Sequence, residues 1–179
     1  LISVSHMDEK HYAIRRAFLI PLGIDAGLLI FFTVFNLFLR SPLYERVILA
    51  GLSVVVLFVW VECLERKVHI GPDVLKIKKF WRERVLNWTD ITHVGCLTLR
   101  SRVYLLLTTK KGFYIISNAY QDFGKLVSDI ISHLPSAEIE VEEEARKQGE
   151  SPTRNISDLV AAWLAAFVLL SIIFLKTFS

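Results

Sequence analysis

The period of hydrophobicity changes several times along this chain, and each change marks an element. Residues 17–39 are apolar almost throughout, with one ionisable side chain, Asp25. At about 1.5 Å per residue, such a run crosses the roughly 30 Å hydrocarbon core of a bilayer. It is too long for a signal peptide and lacks the cleavage pattern. Arg40, Ser41 and Pro42 end it. A second apolar run, residues 47–61, extends to about residues 43–63 with Tyr44 and Trp60 as interfacial aromatics and Arg46 as a snorkelling cation. Together they predict a tight antiparallel helical hairpin. Residues 159–175 form a third run between Asp158 and Lys176, and its Ala161, Ala162, Ala165 and Ala166 allow close helix contact.

Between the second and third runs the period falls to two. Val68 and Ile70 flank His69, Gly71-Pro72-Asp73 is a turn, and then Leu75 and Ile77 point one way while Lys76 and Lys78 point the other. Residues 85–88 read as the hairpin partner, with residues 79–84 near the tip. Further strands are expected over residues 92–99, 103–109 and 113–117, with Gly112 marking the last hairpin. The period then lengthens. Tyr120, Phe123, Leu126, Val127, Ile130, Ile131 and Leu134 fall on one helical face, behind Asn118 as N-cap and Gln121 in the capping-box position. Pro135 ends this helix. About six short antiparallel strands followed by an amphipathic helix predict a bent sheet or barrel whose open end the helix covers.

The turn Gly71-Pro72-Asp73 before a strand, the step Trp88-Thr89-Asp90-Ile91 after the next one, and the terminal helix carry a family likeness. In these features residues 68–134 resemble the bacterial pleckstrin-homology-like (PH-like) domains of small multi-spanning membrane proteins of the YdbS-like type. The likeness extends loosely to the preceding helical hairpin. It implies a PH-like fold with a binding or scaffolding role and no catalytic signature. A membrane helix after the domain is not part of what it implies.

Composition turns this from one domain into a composite. Of 179 residues, 53% are hydrophobic, too many for an ordinary soluble domain, and 22% are charged, too many for a pure membrane bundle. The net charge of +3 hides an asymmetry: residues 62–134 carry 12 Lys and Arg against 7 Asp and Glu, whereas residues 135–155 carry 3 against 6. The acidic run Glu138 to Glu144, followed by Gly149, Ser151 and Pro152, reads either as a solvated linker or as an acidic strap across the basic module. Cys63 and Cys96 stand alone in sequence, which speaks against a disulfide framework or a zinc ribbon.

Arg15-Arg16 precede the first run, and Arg66-Lys67 with the basic module follow the second, while the loop between holds Arg40 and Arg46 against Glu45. By the positive-inside rule the N-terminus and the module are cytoplasmic and the C-terminus lies outside; the resemblance implies that the membrane is a bacterial inner membrane. The expected architecture is an α+β membrane protein. Residues 1–64 form an N-terminal arm and a transmembrane hairpin, 65–135 the PH-like domain with its C-terminal helix, 136–156 an acidic linker, and 157–179 a third transmembrane helix. The six residues before Met7 are set aside as a leftover or as the end of a longer precursor.

Two groups of residues suggest function. Lys76, Lys78, Lys79, Phe80, Trp81, Arg82 and Arg84 place two aromatics and five cations on one hairpin, suited to anionic headgroups or to a protein contact. A basic strand face beside a membrane also follows from the positive-inside rule alone. Asp25 lies inside the GxxxG pattern Gly23 to Gly27, where it could glue neighbouring helices or serve a proton or ion path. A path needs facing polar groups, and only Asn36 and Ser53 are on offer.

His11, His69, His93 and His133 show no metal-ligand spacing, and no phosphate loop, nucleophile elbow or dinucleotide turn occurs. Two aromatics are too few for a nucleic-acid stacking platform. The expectation is therefore a noncatalytic accessory subunit of a membrane complex. It needs no cofactor or metal and no nucleic acid; its partners are membrane lipids and other membrane subunits or further copies of itself. Anionic-lipid sensing is the alternative, and transport through Asp25 a third.

Overall fold

Strand pairing begins ahead of the first long helix. The computed structural model describes residues 9–38, 42–135, 139–153 and 156–178, so the six residues before Met7, Arg40, Ser41 and Glu138 lie outside it. Strand β1 (Lys10–Ala13) pairs antiparallel with β2 (Lys67–Ile70), Tyr12 opposite Val68. Between them run α1 (Arg16–Phe38) and α2 (Leu43–Glu65). The chain thus leaves a sheet at Ala13, makes a two-helix excursion, and rejoins the same sheet at Lys67. The part read as an arm is an edge strand.

Strands β3 (Val74–Lys79) and β4 (Arg82–Asn87) complete the first sheet, in the order β1-β2-β3-β4. A single 3-10 turn, Trp88–Asp90, carries the chain to the second sheet. There β5 (Ile91–Leu99), β6 (Arg102–Thr109), β7 (Gly112–Ser117) and the short β8 (Glu140–Val141) stand in the order β7-β6-β5-β8. Eight strands form among the described residues, not six, and they make two four-stranded sheets, neither closed into a barrel. Helices α3 (Phe123–His133) and α4 (Glu143–Glu150) pack on each other beside them.

Period-two burial builds the core. Val68, Ile70, Leu75, Ile77 and Leu86 from the first sheet, with Val94, Val103, Leu105, Leu107 and Ile116 from the second, are all buried. Helix α3 adds Phe123, Leu126, Val127 and Ile130 at helical spacing, so its apolar stripe is core.

Three local expectations are corrected. The β3–β4 connection is tighter than residues 79–84, since pairing continues to Lys79 opposite Arg82 and leaves only Phe80 and Trp81 at the tip. Phe80 takes φ 44°, the left-handed region that so short a hairpin demands. Asn118 does not cap a helix. It is fully buried, and its amide donates to the carbonyls of Ser101 (3.0 Å) and Thr153 (2.9 Å). Helix α3 starts later, at Phe123, behind Asp122, so Tyr120 and Gln121 precede it and Gln121 makes a backbone bond to Ala13 instead (2.8 Å).

The three long helices α1, α2 and α5 (Ser157–Phe178) form a second unit, separate from the β unit that holds β1 and the chain from Glu65 to Thr153. Each is long and apolar enough to cross a membrane. Within this unit α1 packs along α5. Trp60 of α2 donates its indole N–H to the Leu19 carbonyl of α1 (3.2 Å), and the hydroxyls of Thr33 and Ser53 meet at 2.8 Å. Lys176 of α5 donates to Asn36 of α1 (2.8 Å) and to Glu45 of α2 (2.7 Å). The C-terminal end of α5 therefore shares one end of the bundle with the last turn of α1 and the first turn of α2.

Candidate functional site

The β3–β4 hairpin presents its aromatics to solvent, but its cations do not form one surface. Phe80 and Trp81 stack at 5.0 Å between ring centroids, and Trp81 is 87% exposed. Opposed residues of antiparallel strands share a face, so Lys79, Arg82 and Arg84 lie on the side of Leu75, Ile77 and Leu86. Lys76 and Lys78 lie on the other, with Glu83 opposite Lys78. Lys78 is moreover held by Glu65 at 2.7 Å. Three cations and an aromatic pair remain together at the tip.

A second surface was not foreseen. On the outer face of the second sheet the rows run Leu99 beside Arg102, then Leu97 beside Tyr104 and Ser117, then Gly95 beside Leu106 and Ile115, then His93 beside Thr108 and Phe113. Leu97, Leu99, Ile115 and Phe113 are exposed, Phe113 at 71%, and Tyr104 and Leu106 are half-buried. The solvent side of an antiparallel sheet is ordinarily polar. Six adjacent apolar side chains on it make a patch of the kind that marks an interaction site. The signal stood in the sequence: Leu105-Leu106-Leu107 and Ile115-Ile116 break the alternation, as they do in strands covered on both faces.

The acidic segment closes one side of this sheet. β8 pairs parallel with β5, Glu140 opposite His93 and Val141 opposite Val94. The Glu142 carboxylate accepts the Cys96 backbone N–H (2.9 Å) and meets His93 Nε2 (3.2 Å), and the Cys96 N–H foremost holds its pKa below the usual value. That carboxylate stands 3.0 Å from where a Cβ on Gly95 would be, so a side chain at 95 would make the Glu142 carboxylate shift by a few tenths of an ångström. The described part of the segment is thus ordered along β5 and α3, with most of its acidic side chains still exposed. It sits at the β5 edge, away from the β3–β4 pair that carries the cation cluster.

The helix-packing candidates divide as well. Asp25 is 5% exposed and one of its oxygens lacks a partner, whereas Gly27 is exposed. Gly23 makes room for Trp60, whose indole nitrogen would lie 2.9 Å from an added Cβ. Of Ala161, Ala162, Ala165 and Ala166, only Ala166 is buried. Ala162 is half-buried, and Ala161 and Ala165 are exposed.

Compared with protein-family models, with curated proteins and with solved structures, the chain matches none.

Proposed function

We propose that this protein is a noncatalytic, membrane-anchored interaction subunit, whose three long helices span a bacterial inner membrane and whose PH-like β unit works on the cytoplasmic side. The apolar outer face of the second sheet carries the reading, because six neighbouring hydrophobic residues in water are costly unless something covers them. The occupant is another subunit of a membrane complex or a further copy of the chain. The pairing of β1 with β2 supports one part of this arrangement, that both ends of the two-helix excursion lie on the same side; the choice of the cytoplasmic side rests on the Lys and Arg distribution.

The test is thiol labelling in native membrane vesicles, in a Cys63→Ala background and with an impermeant maleimide. In inside-out vesicles Ile115→Cys should react roughly threefold or more slowly than after detergent extraction. Lys125→Cys, on the exposed side of α3, should react equally in both. Equal rates for both variants would remove the interaction reading, and labelling of Lys125→Cys only in right-side-out vesicles would reverse the orientation.

The hairpin tip favours a second reading, binding to anionic lipid, since Trp81 is exposed beside Lys79, Arg82 and Arg84. In nanodiscs holding the full chain, brominated anionic lipid should quench a fluorescence component that Trp81→Phe removes. Equal quenching by brominated neutral lipid would leave no role for the cations.

A further inference from the structure

On the outer face of the first sheet, His11 of β1 stands directly opposite His69 of β2. Their Nδ1 atoms approach to 2.5 Å, with the rings edge to face and 4.4 Å between centroids. Two imidazole nitrogens that close share a proton, and rings that open slightly can share a cation in its place. His69 also borders a shallow depression lined by Glu9, Asp73, Lys76 and the turn at Gly71. Glu9 lies two residues before His11 and so falls on the same face of the chain. Two adjacent imidazole nitrogens, one of them bordering a depression that also holds Glu9 and Asp73, are donors of the kind a borderline divalent ion takes.

We propose that His11 and His69 form a cross-strand chelate for a divalent transition-metal ion such as zinc or nickel, with Glu9 as third donor and water completing the shell. An ion holding two nitrogens at about 2.0–2.1 Å and a tetrahedral angle sets them about 3.3 Å apart, so the rings open by less than about 1 Å. Among the described residues no three His, Cys, Asp or Glu side chains are already gathered around one point. Glu9 is exposed and rotates in on binding. Lys76, opposite His69, opposes the cation. The ion staples the strand before the two-helix excursion to the strand after it.

The experiment uses the full chain in detergent, stripped with chelator and titrated with zinc chloride and, separately, nickel chloride by calorimetry. One equivalent should bind saturably and raise the melting temperature. His11→Asn and His69→Asn should each weaken binding roughly tenfold or more, since even groups one step beyond a metal's ligands cost about that much. Lys76→Gln should tighten it. Melting of the variants without metal shows that each remains folded, as both rings lie at the surface. No saturable binding by the native chain would overturn the site and leave a proton shared between the rings. Binding that survives both histidine substitutions, or that is indifferent to Lys76→Gln, would place the ion elsewhere and overturn it equally.

Discussion

Trp88→Ala is expected to lower the stability of the β unit by about 3–5 kcal/mol, the range for removing a buried aromatic. Trp88 opens the 3-10 turn where the chain passes from the first sheet to the second. Its ring is buried and lies against His133 of α3, with centroids 5.2 Å apart. Its indole N–H donates to the Gly71 carbonyl at 3.1 Å. One side chain therefore joins the β2–β3 turn, the crossover and the covering helix. Removing it leaves a void and an unpaired carbonyl. Trp88→Phe keeps most of the packing and should lose less, since a single hydrogen bond is worth roughly 1 kcal/mol. Urea unfolding in mild detergent measures both, and an unchanged midpoint for the alanine variant would mean that the crossover is held by something else.

Asp129→Ala should release β1, at a cost of about 2–3 kcal/mol, because it strands a buried hydroxyl as well as breaking an ion pair. From α3, Asp129 accepts from the Lys10 ammonium at 2.8 Å and from the Tyr12 hydroxyl. Amide exchange at His11 to Ala13 reads the effect, with protection falling by roughly a hundredfold while β5 to β7 keep theirs. Equal loss in both sheets would show that β1 does not open by itself.

The same contact gives β1 two pH limits. Burial pulls the Asp129 carboxyl upward, but Lys10 and Tyr12 outweigh it, so its folded pKa lies below the ordinary value. Its stabilisation is complete above the unfolded pKa of about 4 and fades as pH falls through the depressed folded one. Tyr12 is shifted upward by burial and then by its bond to Asp129. Its contribution is complete below the unfolded pKa of about 10 and is lost as pH rises through the raised folded one. The share of β1 protection that comes from the Asp129–Tyr12 contact should thus be level between about pH 4 and 10 and decline on both sides.

How far the candidate sites could be read in the sequence depended on how local their determinants are. Trp81 at an exposed tip could be anticipated from a charged, turn-forming stretch. The division of its cations between two faces could not, because it depends on the register Lys79 to Arg82, one step tighter than the turn residues suggest. Asn118 looked like a cap because Asn before an apolar helical stripe usually is one. Its real partners, the carbonyls of Ser101 and Thr153, lie 17 and 35 residues away.

The three apolar helices, the two-residue period of β2 and β3 and the apolar stripe of α3 were determined by the sequence alone. Each is a repeat that a single turn or strand already displays. Only the tertiary structure decided that residues 10–13 join the sheet beyond α1 and α2, that the acidic residues 140–150 fold against β5 and α3, and that the strands make two open sheets. Four-residue β1 and two-residue β8 are too short to announce themselves, because a strand that short gains its stability from the partner it meets. That partner is fixed by long-range packing: Asp129 meeting Lys10 and Tyr12 for one, and Glu142 meeting the Cys96 N–H for the other.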